Sequence, residues 1–294
     1  MIKQASVHKI VFIIDGLGMG GAERLMIPIL SHLNQGQFDV RVCVLQSKEG
    51  NPLAEDIRRL GVTVDFLEIK RLRDLSALRR LRKYLIDTEA SLVHTQLEFS
   101  NILGNISAKL LRLPSVCTVH VLPSIEVSAK SKLHQQVEWL ALRLFCDRVI
   151  TVSEETRRHY IAQSGILPKK ISTIYNGIDL THFHELDVDL ERVAVRDEFQ
   201  IPTDANLLVT VAVLRQKKGI EYMIRALPAV LEAHPNTYYL IVGDGVHREA
   251  LMIEAGKLGV KERVIFAGMR KEIPRILFSS DVFVLPTLTE ALPT

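Results

Sequence analysis

The chain has 294 residues, of which 47% are hydrophobic and 24% charged. This composition excludes a disordered or fibrous protein, and the length is sufficient for two domains that each have a core. No apolar run approaches the roughly 18 residues that a membrane-spanning helix needs. The run at residues 10–14 is also too short for the core of a signal peptide.

The formal net charge of +3 hides an uneven distribution of charge along the chain. Residues 1–184 carry 24 Lys and Arg against 18 Asp and Glu, whereas residues 185–294 carry 13 against 16. The three cysteines, Cys43, Cys117 and Cys146, lie far apart in apolar segments and form no C-x-x-C pair. We therefore expect reduced core thiols in a cytoplasmic protein and no structural zinc.

The first loop follows a predicted strand and contains glycines with the G-x-G-x-x-G spacing of a dinucleotide-binding turn, at Gly16, Gly18 and Gly21. The acidic residue that should hold the ribose, about 20 residues further on, is missing. The second predicted strand ends instead at Gln46-Ser-Lys48. A dinucleotide site is therefore one alternative, and a tight turn without a ligand is another.

A third interpretation of this loop is a different anionic or sugar ligand. The amides of Gly20, Gly21 and Ala22 lie at the predicted start of a helix. Such a start offers unpaired N–H groups and the positive end of the helix dipole to an anion. Glycine also lets a ligand approach the backbone closely.

Strand-like runs alternate with helical patterns along the chain, which predicts parallel sheets with helices on both faces. The predicted strands are residues 9–15, 38–46, 62–67, 91–94, 115–120, 148–152, 171–175, 207–214, 237–243, 263–268 and 281–285. The predicted helices include residues 22–33, 72–86, 101–111, 133–144, 219–233 and 247–258. A polar stretch at residues 182–189 divides two doubly wound α/β domains, predicted at 1–184 and 185–294. The second stops after its fourth strand, so we expect a chain cut within a domain.

Much of the basic excess lies in Lys70–Lys83, where leucines at helical spacing alternate with Arg79, Arg80 and Arg82. One interpretation is a basic amphipathic helix on an anionic membrane surface. The other is a solvated outer helix that packs its leucines on the sheet. A nucleic-acid site is disfavoured because no aromatic residues interleave with the arginines.

Ligands of open parallel sheets bind beyond the carboxyl ends of the strands, so the residues that follow the predicted strands are candidate site residues. We expect these loops of the two sheets to face each other across a cleft. One wall would hold the glycine loop and His120, and the other would hold Arg215, Lys218 and Glu290.

The chain resembles the retaining glycosyltransferases of family 4, which have the two-domain GT-B fold. The matching motifs occur in order over essentially the whole chain. They are Gly20-Gly21-Ala-Glu-Arg24, Thr118-Val-His120, Val152-Ser153, Asn176-Gly-Ile-Asp179 with Phe183, Lys218-Gly219, Gly243-Asp-Gly245, Val264-Ile-Phe-Ala-Gly268 and Pro286-Thr-Leu-Thr-Glu290.

The resemblance implies an enzyme that moves a sugar from a nucleotide-diphosphate sugar to a glycan or lipid-linked acceptor, in cell-surface polysaccharide or glycolipid synthesis. It implies catalytic roles for His120 beside the donor sugar, Lys218 at the diphosphate and Glu290 at the sugar hydroxyls. The other residues implied in donor binding are Gly20, Gly21, Arg215, Gly219, Gly243, Asp244 and Gly245, with Phe266, Gly268 and Met269 on the side of the base. Fixed cations at a leaving diphosphate agree with the chemistry, because charge gathers there in the transition state. No metal or other cofactor is expected.

Two departures from the family pattern are present. The usual Arg five residues before the loop lysine is replaced by Val213. The family's second carboxylate, counted from Glu290, would fall four residues beyond Thr294, so we expect a weak or inactive transferase. The protein would be cytoplasmic or peripheral on the inner face of the membrane.

Other functions remain as alternatives. A GT-B nucleotide-sugar epimerase would need an acid/base pair, for which only His120 is a candidate. A non-catalytic sugar-nucleotide-binding fragment is a further alternative. A metal-dependent transferase using Asp187 and Asp189 is disfavoured because that pair follows no apolar strand. A glycosidase is disfavoured because it needs two opposed carboxylates.

Overall fold

The structure is a computed structural model that describes residues 7–18, 20–46, 50–69, 74–120, 129–181 and 187–292. The chain forms two compact units. The first contains the residues up to Ile178 and those from Glu290 onward, and the second contains Asp179–Thr289. The predicted domain boundary at residues 184 and 185, Phe183 and the first four residues of the basic segment Lys70–Lys83 lie outside the described residues.

The first unit contains a seven-stranded sheet in the order β3-β2-β1-β4-β5-β6-β7, with every neighbouring pair parallel. Its strands are β1 His8–Ile14, β2 Phe38–Val44, β3 Thr63–Phe66, β4 Leu92–Gln96, β5 Ser115–Val119, β6 Arg148–Thr151 and β7 Ile171–Thr173. The order reverses between β1 and β4. This reversal leaves room for a ligand beyond the carboxyl ends of these two strands.

Seven α-helices surround this sheet in the described part of the first unit, and a short 3-10 helix follows the last. They are α1 Gly21–Arg24, α2 Met26–His32, α3 Leu53–Arg59, α4 Leu75–Asp87, α5 Glu98–Leu110, α6 Ala129–Phe145 and α7 Glu154–Gln163, with the 3-10 helix at Pro168–Lys170. Helices cover both faces because the central strand is apolar on both sides. Ile13 packs with α4 and α5, whereas Phe12 and Ile14 pack with α2 and α3.

The second unit contains a four-stranded parallel sheet in the order β10-β9-β8-β11. Its strands are β8 Asn206–Val211, β9 Thr237–Val242, β10 Val264–Gly268 and β11 Val282–Phe283. Its helices are α8 Val188–Glu198, α9 Ile220–Ala233, α10 Arg248–Lys257 and α11 Ile273–Ser279, with 3-10 turns at Gln216–Lys218 and Lys261–Arg263. The two sheets thus begin with the same order of their first four strands. The prediction of two doubly wound α/β sheets is confirmed.

Two helices differ from their predictions. The predicted helix at residues 22–33 is interrupted at Leu25, where α1 ends and α2 begins. Pro28 explains the break, because it has no N–H to donate to the carbonyl of Arg24. Helix α8 was not predicted, and Asp187, which the metal-site alternative used, caps it by accepting a 3.2 Å hydrogen bond from the N–H of Leu190.

The last strand is also shorter than the predicted residues 281–285. Only Val282–Phe283 is a strand, although the N–H of Val284 still donates to the carbonyl of Val209 at 2.8 Å. Pro286, two residues later, has no N–H with which to continue the ladder. In the part of the chain that the structure describes, no helix is long and apolar enough to cross a membrane.

Candidate functional site

The loop after β1 is held in place by a buried carboxylate. Asp15 accepts hydrogen bonds from the N–H and the hydroxyl of Ser100, both at 2.7 Å, and from the N–H of Phe99 at 3.1 Å. These groups lie at the start of α5, whose preceding residue Leu97 has a positive φ of 73°. Asp15 therefore takes the place of an ordinary cap and ties the carboxyl end of β1 to the helix that follows β4.

The Gly20-Gly21 segment forms the start of α1. Gly20 has an extended backbone with φ −73°, and its carbonyl accepts from the N–H of Arg24 at 3.0 Å. The three atoms nearest to a Cβ added to Gly20 all belong to the carboxyl end of the Glu23 side chain. The backbone here neither requires glycine for its conformation nor approaches other backbone closely. Its glycine is compatible with the close approach of a ligand.

His120 follows β5 and packs beside the end of β4. Its Nε2 lies 3.1 Å from Oε1 of Gln96, which is fully buried. Burial lowers the pKa of His120 to about 4, so its imidazole is neutral at physiological pH. Because Gln96 Oε1 can only accept, we assign the proton to Nε2 of His120. This leaves Nδ1 as an acceptor, and it has no partner among the described residues.

A second histidine, His94, is half-buried and lies next to this pair. Burial lowers its pKa to about 4, with a smaller contribution from His120. Its Nε2 is 2.8 Å from the hydroxyl of Thr118, and its ring lies 4.6 Å from that of Phe12. His94 lies in the middle of β4, whereas His120 follows β5 at the carboxyl edge of the sheet. A neutral imidazole there can exchange hydrogen bonds with sugar hydroxyls, but it supplies no fixed positive charge.

Helices α5 and α6 share a polar contact that the sequence did not reveal. The amide of Asn101 donates to Oε1 of Glu138 at 2.6 Å, and His134 Nδ1 lies 3.0 Å from Oε1 of Glu98. Burial raises the pKa of Glu138 to about 7, and the hydrogen bond from Asn101 opposes this in part. Glu138 therefore holds a proton over part of the physiological pH range.

In the second unit, Lys218 ends the 3-10 turn Gln216–Lys218, and Gly219 joins this turn to α9. Gly219 is left-handed, with φ 63°, and an added Cβ would lie 2.1 Å from the carbonyl oxygen of Pro286. The N–H of Leu288 donates to the carbonyl of Lys217 at 3.0 Å. The segment after β11 therefore fixes the backbone that carries Lys218 at the N-terminus of α9.

The Gly243–Gly245 loop packs on the loop that follows β8. A Cβ on Gly243, whose φ is 130°, would lie 1.9 Å from the carbonyl oxygen of Ala212, and one on Gly245 would lie 2.4 Å from that of Leu214. The N–H of Leu214 in turn donates to the carbonyl of Asp244 at 3.0 Å. These glycines are required by contacts between loops, so they shape the site even if they do not contact a ligand.

Of the remaining predicted donor-side residues, Arg215, Asp244, Gly268 and Met269 lie at the carboxyl edge of the second sheet, whereas Phe266 lies within β10. Arg215 is exposed and precedes the Lys218 turn, and Asp244 Oδ1 accepts from the N–H of Gly245 at 2.7 Å. Gly268 ends β10 with φ 70°, and its carbonyl accepts from the N–H of Gly243 at 2.8 Å. Met269 is 71% exposed, whereas Phe266 packs against the core of this unit.

Glu290 belongs to the first unit together with His120. The next residue, Ala291, is buried and packs with Val152, which directly follows β6. Glu290 therefore enters the carboxyl edge of the first sheet, whereas Lys218 belongs to the second unit.

The structure therefore brings the sequence-predicted residues together in two sets. One set lies after β1, β5 and β6, and the other lies around β8, β9 and β10. Sequence reasoning missed Gln96, which has no motif of its own, and Pro286 as the support of Gly219. A polar residue at the end of a predicted strand was the only signal for Gln96.

The three cysteines are free and buried, as predicted. Among the described residues, no group of three or more His, Cys, Asp or Glu side chains is placed to hold a metal ion.

The profile of Glycosyltransferase Family 4 matches residues 19–182, and the profile of Glycosyl transferases group 1 matches residues 191–294. The chain is 28% identical over 287 residues to the UDP-Gal:alpha-D-GlcNAc-diphosphoundecaprenol alpha-1,3-galactosyltransferase of Escherichia coli, an alignment that covers 94% of this chain and 72% of that enzyme. It is 30% identical over 210 residues to an uncharacterized glycosyltransferase of Methanocaldococcus jannaschii, covering 67% of this chain and 52% of that protein.

The fold is similar to the crystal structure of Anabaena HepE in complex with UDP-glucose. The TM-score is 0.80 at 21% identity, covering 94% of this chain and 72% of the other. A crystal structure of HepE in complex with UDP matches with a TM-score of 0.79. At this identity the likeness concerns the fold.

Proposed function

The chain is a glycosyltransferase that belongs to Glycosyltransferase Family 4, and from this premise we propose that it transfers a sugar from a uridine nucleotide sugar to a lipid-linked acceptor. The proposed products serve cell-surface polysaccharide or glycolipid synthesis. The names of similar proteins support both substrates: HepE was crystallised with UDP-glucose, and the Escherichia coli relative is named for UDP-Gal and a diphosphoundecaprenol acceptor.

The observation that carries the proposal is the placement of Lys218. It lies between the first strand of the second sheet and the N-terminus of α9, on a turn fixed by Gly219 and Pro286. An ammonium group and a helix N-terminus together stabilise a diphosphate as it leaves. In this proposal Arg215, on the same turn, takes part in binding the diphosphate in place of the family arginine that Val213 replaces.

The groups on the first sheet are proposed to act on the sugars. His120 is neutral, so it is proposed to hydrogen-bond a hydroxyl of the donor sugar rather than to act as an acid. Glu290 is proposed to accept hydrogen bonds from the other sugar hydroxyls. The Gly20-Gly21 start of α1 is proposed to approach the donor or the acceptor, with Gly243, Asp244 and Gly245 shaping the donor side.

We propose retention of configuration and independence from divalent metal. Lys218 and Arg215 would supply the charge that a metal supplies elsewhere. Transfer should therefore persist after exhaustive chelation. Activity that is lost on chelation and restored by magnesium or manganese would overturn this part of the proposal.

The test uses the 294-residue chain with a panel of radiolabelled nucleotide sugars and a polyprenol-diphosphate sugar as acceptor. We expect a low yield of labelled sugar in the organic phase with a uridine nucleotide donor, consistent with the weak transferase that the sequence predicts. The anomeric configuration of the product, read by NMR, should match that of the donor. Titration calorimetry with UDP provides a second measurement. Absence of both UDP binding and transfer would contradict the proposal, whereas inversion would contradict only the retaining mechanism.

A further inference from the structure

Helix α6 carries a line of exposed apolar side chains. Leu133, Val137, Leu140 and Leu144 are 56%, 41%, 50% and 50% exposed. Their spacing of four, three and four residues places them on one side of the helix. The opposite side contains the buried Leu142, which packs in the core of the first unit. Single exposed leucines are ordinary, but a continuous line over the length of a helix is typical of an interaction surface.

The charges beside this line are basic. Lys132 and Arg143 are exposed and flank the apolar residues. The one acidic residue of α6, Glu138, points the other way and binds Asn101 of α5. The exposed face of α6 therefore combines apolar side chains with cations and carries no exposed carboxylate among its described side chains, the combination that an anionic lipid surface attracts.

The basic helix α4, by contrast, has no such apolar face. Among its described side chains, Ala77, Leu81 and Leu85 are buried in the core of the first unit, as the solvated-helix interpretation expects, and Ile86 is a single exposed apolar residue. Two of its cations are also paired, Arg80 with Asp74 and Lys83 with Asp87. Helix α4 can therefore contribute charge to a membrane contact but little insertion into the bilayer.

Helices α4, α5 and α6 lie in one layer. α4 and α5 pack in one core cluster against the sheet face that contains Ile13, and α5 is joined to α6 through Asn101 and Glu138. Arg79 of α4 is exposed on the outside of this layer.

We infer that the exposed face of α6, defined by Leu133, Val137, Leu140 and Leu144 with Lys132 and Arg143, is a docking surface for an anionic lipid bilayer. The inference rests on the lipid-linked acceptor proposed above, which resides in such a bilayer. A second copy of the chain fits this face less well, because stacking two copies would bring like charges together at its edges. In a bilayer rich in anionic headgroups, the leucines can insert among the acyl chains while the headgroups neutralise the cations.

The experiment measures binding of the 294-residue chain to vesicles by co-sedimentation. Vesicles of phosphatidylcholine alone are compared with vesicles that also contain phosphatidylglycerol. The single tryptophan of the chain, Trp139, lies on α6 and provides a spectroscopic signal. Brominated phosphatidylcholine, mixed with phosphatidylglycerol, should quench its fluorescence if α6 lies at the bilayer surface.

The main variant is Leu140→Ser with Leu144→Ser. We expect it to lower the partition coefficient for anionic vesicles about tenfold or more, because two half-exposed leucines no longer enter the bilayer. Lys132→Gln with Arg143→Gln should lower it by a similar factor and make binding less sensitive to salt. The matched control is Ile253→Ser on α10, which is 59% exposed in the second unit and should leave the partition coefficient unchanged.

Three outcomes would overturn the inference. In the first outcome, the chain does not bind anionic vesicles. In the second, the variant with Leu140→Ser and Leu144→Ser binds these vesicles as tightly as the unchanged chain. In the third outcome, sedimentation equilibrium would show a dimer that this variant dissociates, which would assign the face to a second copy. Vesicle binding needs neither donor nor acceptor, so it can succeed when the transfer assay fails. Transfer to a short-chain, water-soluble acceptor can likewise succeed when vesicle binding fails.

Discussion

The two sheets begin with the same strand order, and both carry glycines in the loops at their carboxyl edges, but these glycines have different structural roles. In the second unit, Gly219 and Gly243 have positive φ, and added Cβ atoms would collide with backbone carbonyls. In the first unit, Gly20 has an ordinary φ and would meet only the end of a flexible side chain. In the second unit, the glycines are therefore needed for the backbone conformation and for close packing. In the first unit, Gly20 is not needed for either, and it leaves room for a ligand.

The comparison predicts its largest effect at Gly243. In Gly243→Ala, the Cβ would lie 1.9 Å from the carbonyl oxygen of Ala212, and the residue would keep a strained φ. We expect the second unit to lose about 3 to 5 kcal/mol of unfolding free energy, from strain and overpacking together. Urea denaturation followed by far-UV circular dichroism and hydrogen exchange in β9 measures this loss.

The matched control for this variant is Gly256→Ala in the same unit. Gly256 lies within α10, and an added Cβ would meet nothing within 4 Å. Alanine should therefore be neutral or stabilising by up to about 1 kcal/mol. If Gly243→Ala unfolds at the same urea concentration as Gly256→Ala, the assigned role of Gly243 is wrong.

The next largest effect is expected at Lys218, the side chain that the constrained loop presents. We expect Lys218→Ala to lower the turnover number about 10²- to 10³-fold, the scale for losing one preorganised charge donor. Steady-state transfer kinetics measure the change. Lys217→Ala is the control, because the contact of residue 217 with Leu288 is made by its backbone carbonyl. Turnover of Lys218→Ala within about threefold of the unchanged chain would remove Lys218 from the mechanism.

A smaller effect is expected in the first unit, at Glu138, and it depends on pH. The folded pKa of about 7 lies above the ordinary value of 4.5. The folded state therefore holds the proton more tightly, and this group makes the protein less stable as pH rises from about 4.5 through about 7. Glu138→Gln, which keeps an acceptor for Asn101, should gain about 1 to 3 kcal/mol near pH 8 and little near pH 5.

Urea denaturation followed by Trp139 fluorescence at the two pH values measures this gain in the first unit. Glu55→Gln serves as the control, because Glu55 is exposed and its contacts with Arg58 and Arg59 are surface ion pairs worth little. A gain for Glu138→Gln that is equal at both pH values would mean that no proton is involved.

The smallest effect is expected at Gly20. Gly20→Ala should change the midpoint of thermal unfolding by less than the equivalent of about 1 kcal/mol, because the Glu23 carboxyl can turn away. Gly219→Ala, with φ 63° and a collision with Pro286, should lower it clearly. Equal losses in the two variants would remove the distinction between the two loops.

The strands could be predicted from the sequence because they are buried on both faces and therefore appear as short apolar runs, as in Ile10–Ile14. Helix α8 could not, because six of the 11 residues of Val188–Glu198 are charged, and this segment directly continues the polar stretch at residues 182–189. Its cap, Asp187, is a residue type that often caps helices, but the sequence alone offers it only as a candidate metal ligand. The residues after the strands were found because a parallel sheet places them at one edge.

The contacts that hold these residues in place could not be predicted from the sequence alone. Gln96, at the end of β4, contacts His120, which follows the neighbouring strand β5. Gly219 contacts Pro286, which lies far from it in the sequence. No local pattern encodes such pairs. The sequence therefore indicated which residues belong to the candidate site, and the structure showed what holds them.

The carboxylate of Asp15 accepts hydrogen bonds from the first amides of α5, and these bonds affect how the fold opens locally. Amides in the first turn of a helix usually exchange with solvent quickly, because helix ends fray. The N–H of Ser100, however, binds a carboxylate that lies 85 positions earlier in the chain. Its hydrogen can therefore exchange only when β1 and α5 separate. We expect the Ser100 amide to exchange as slowly as those of the central strands, so that it reports on cooperative opening of the whole first unit.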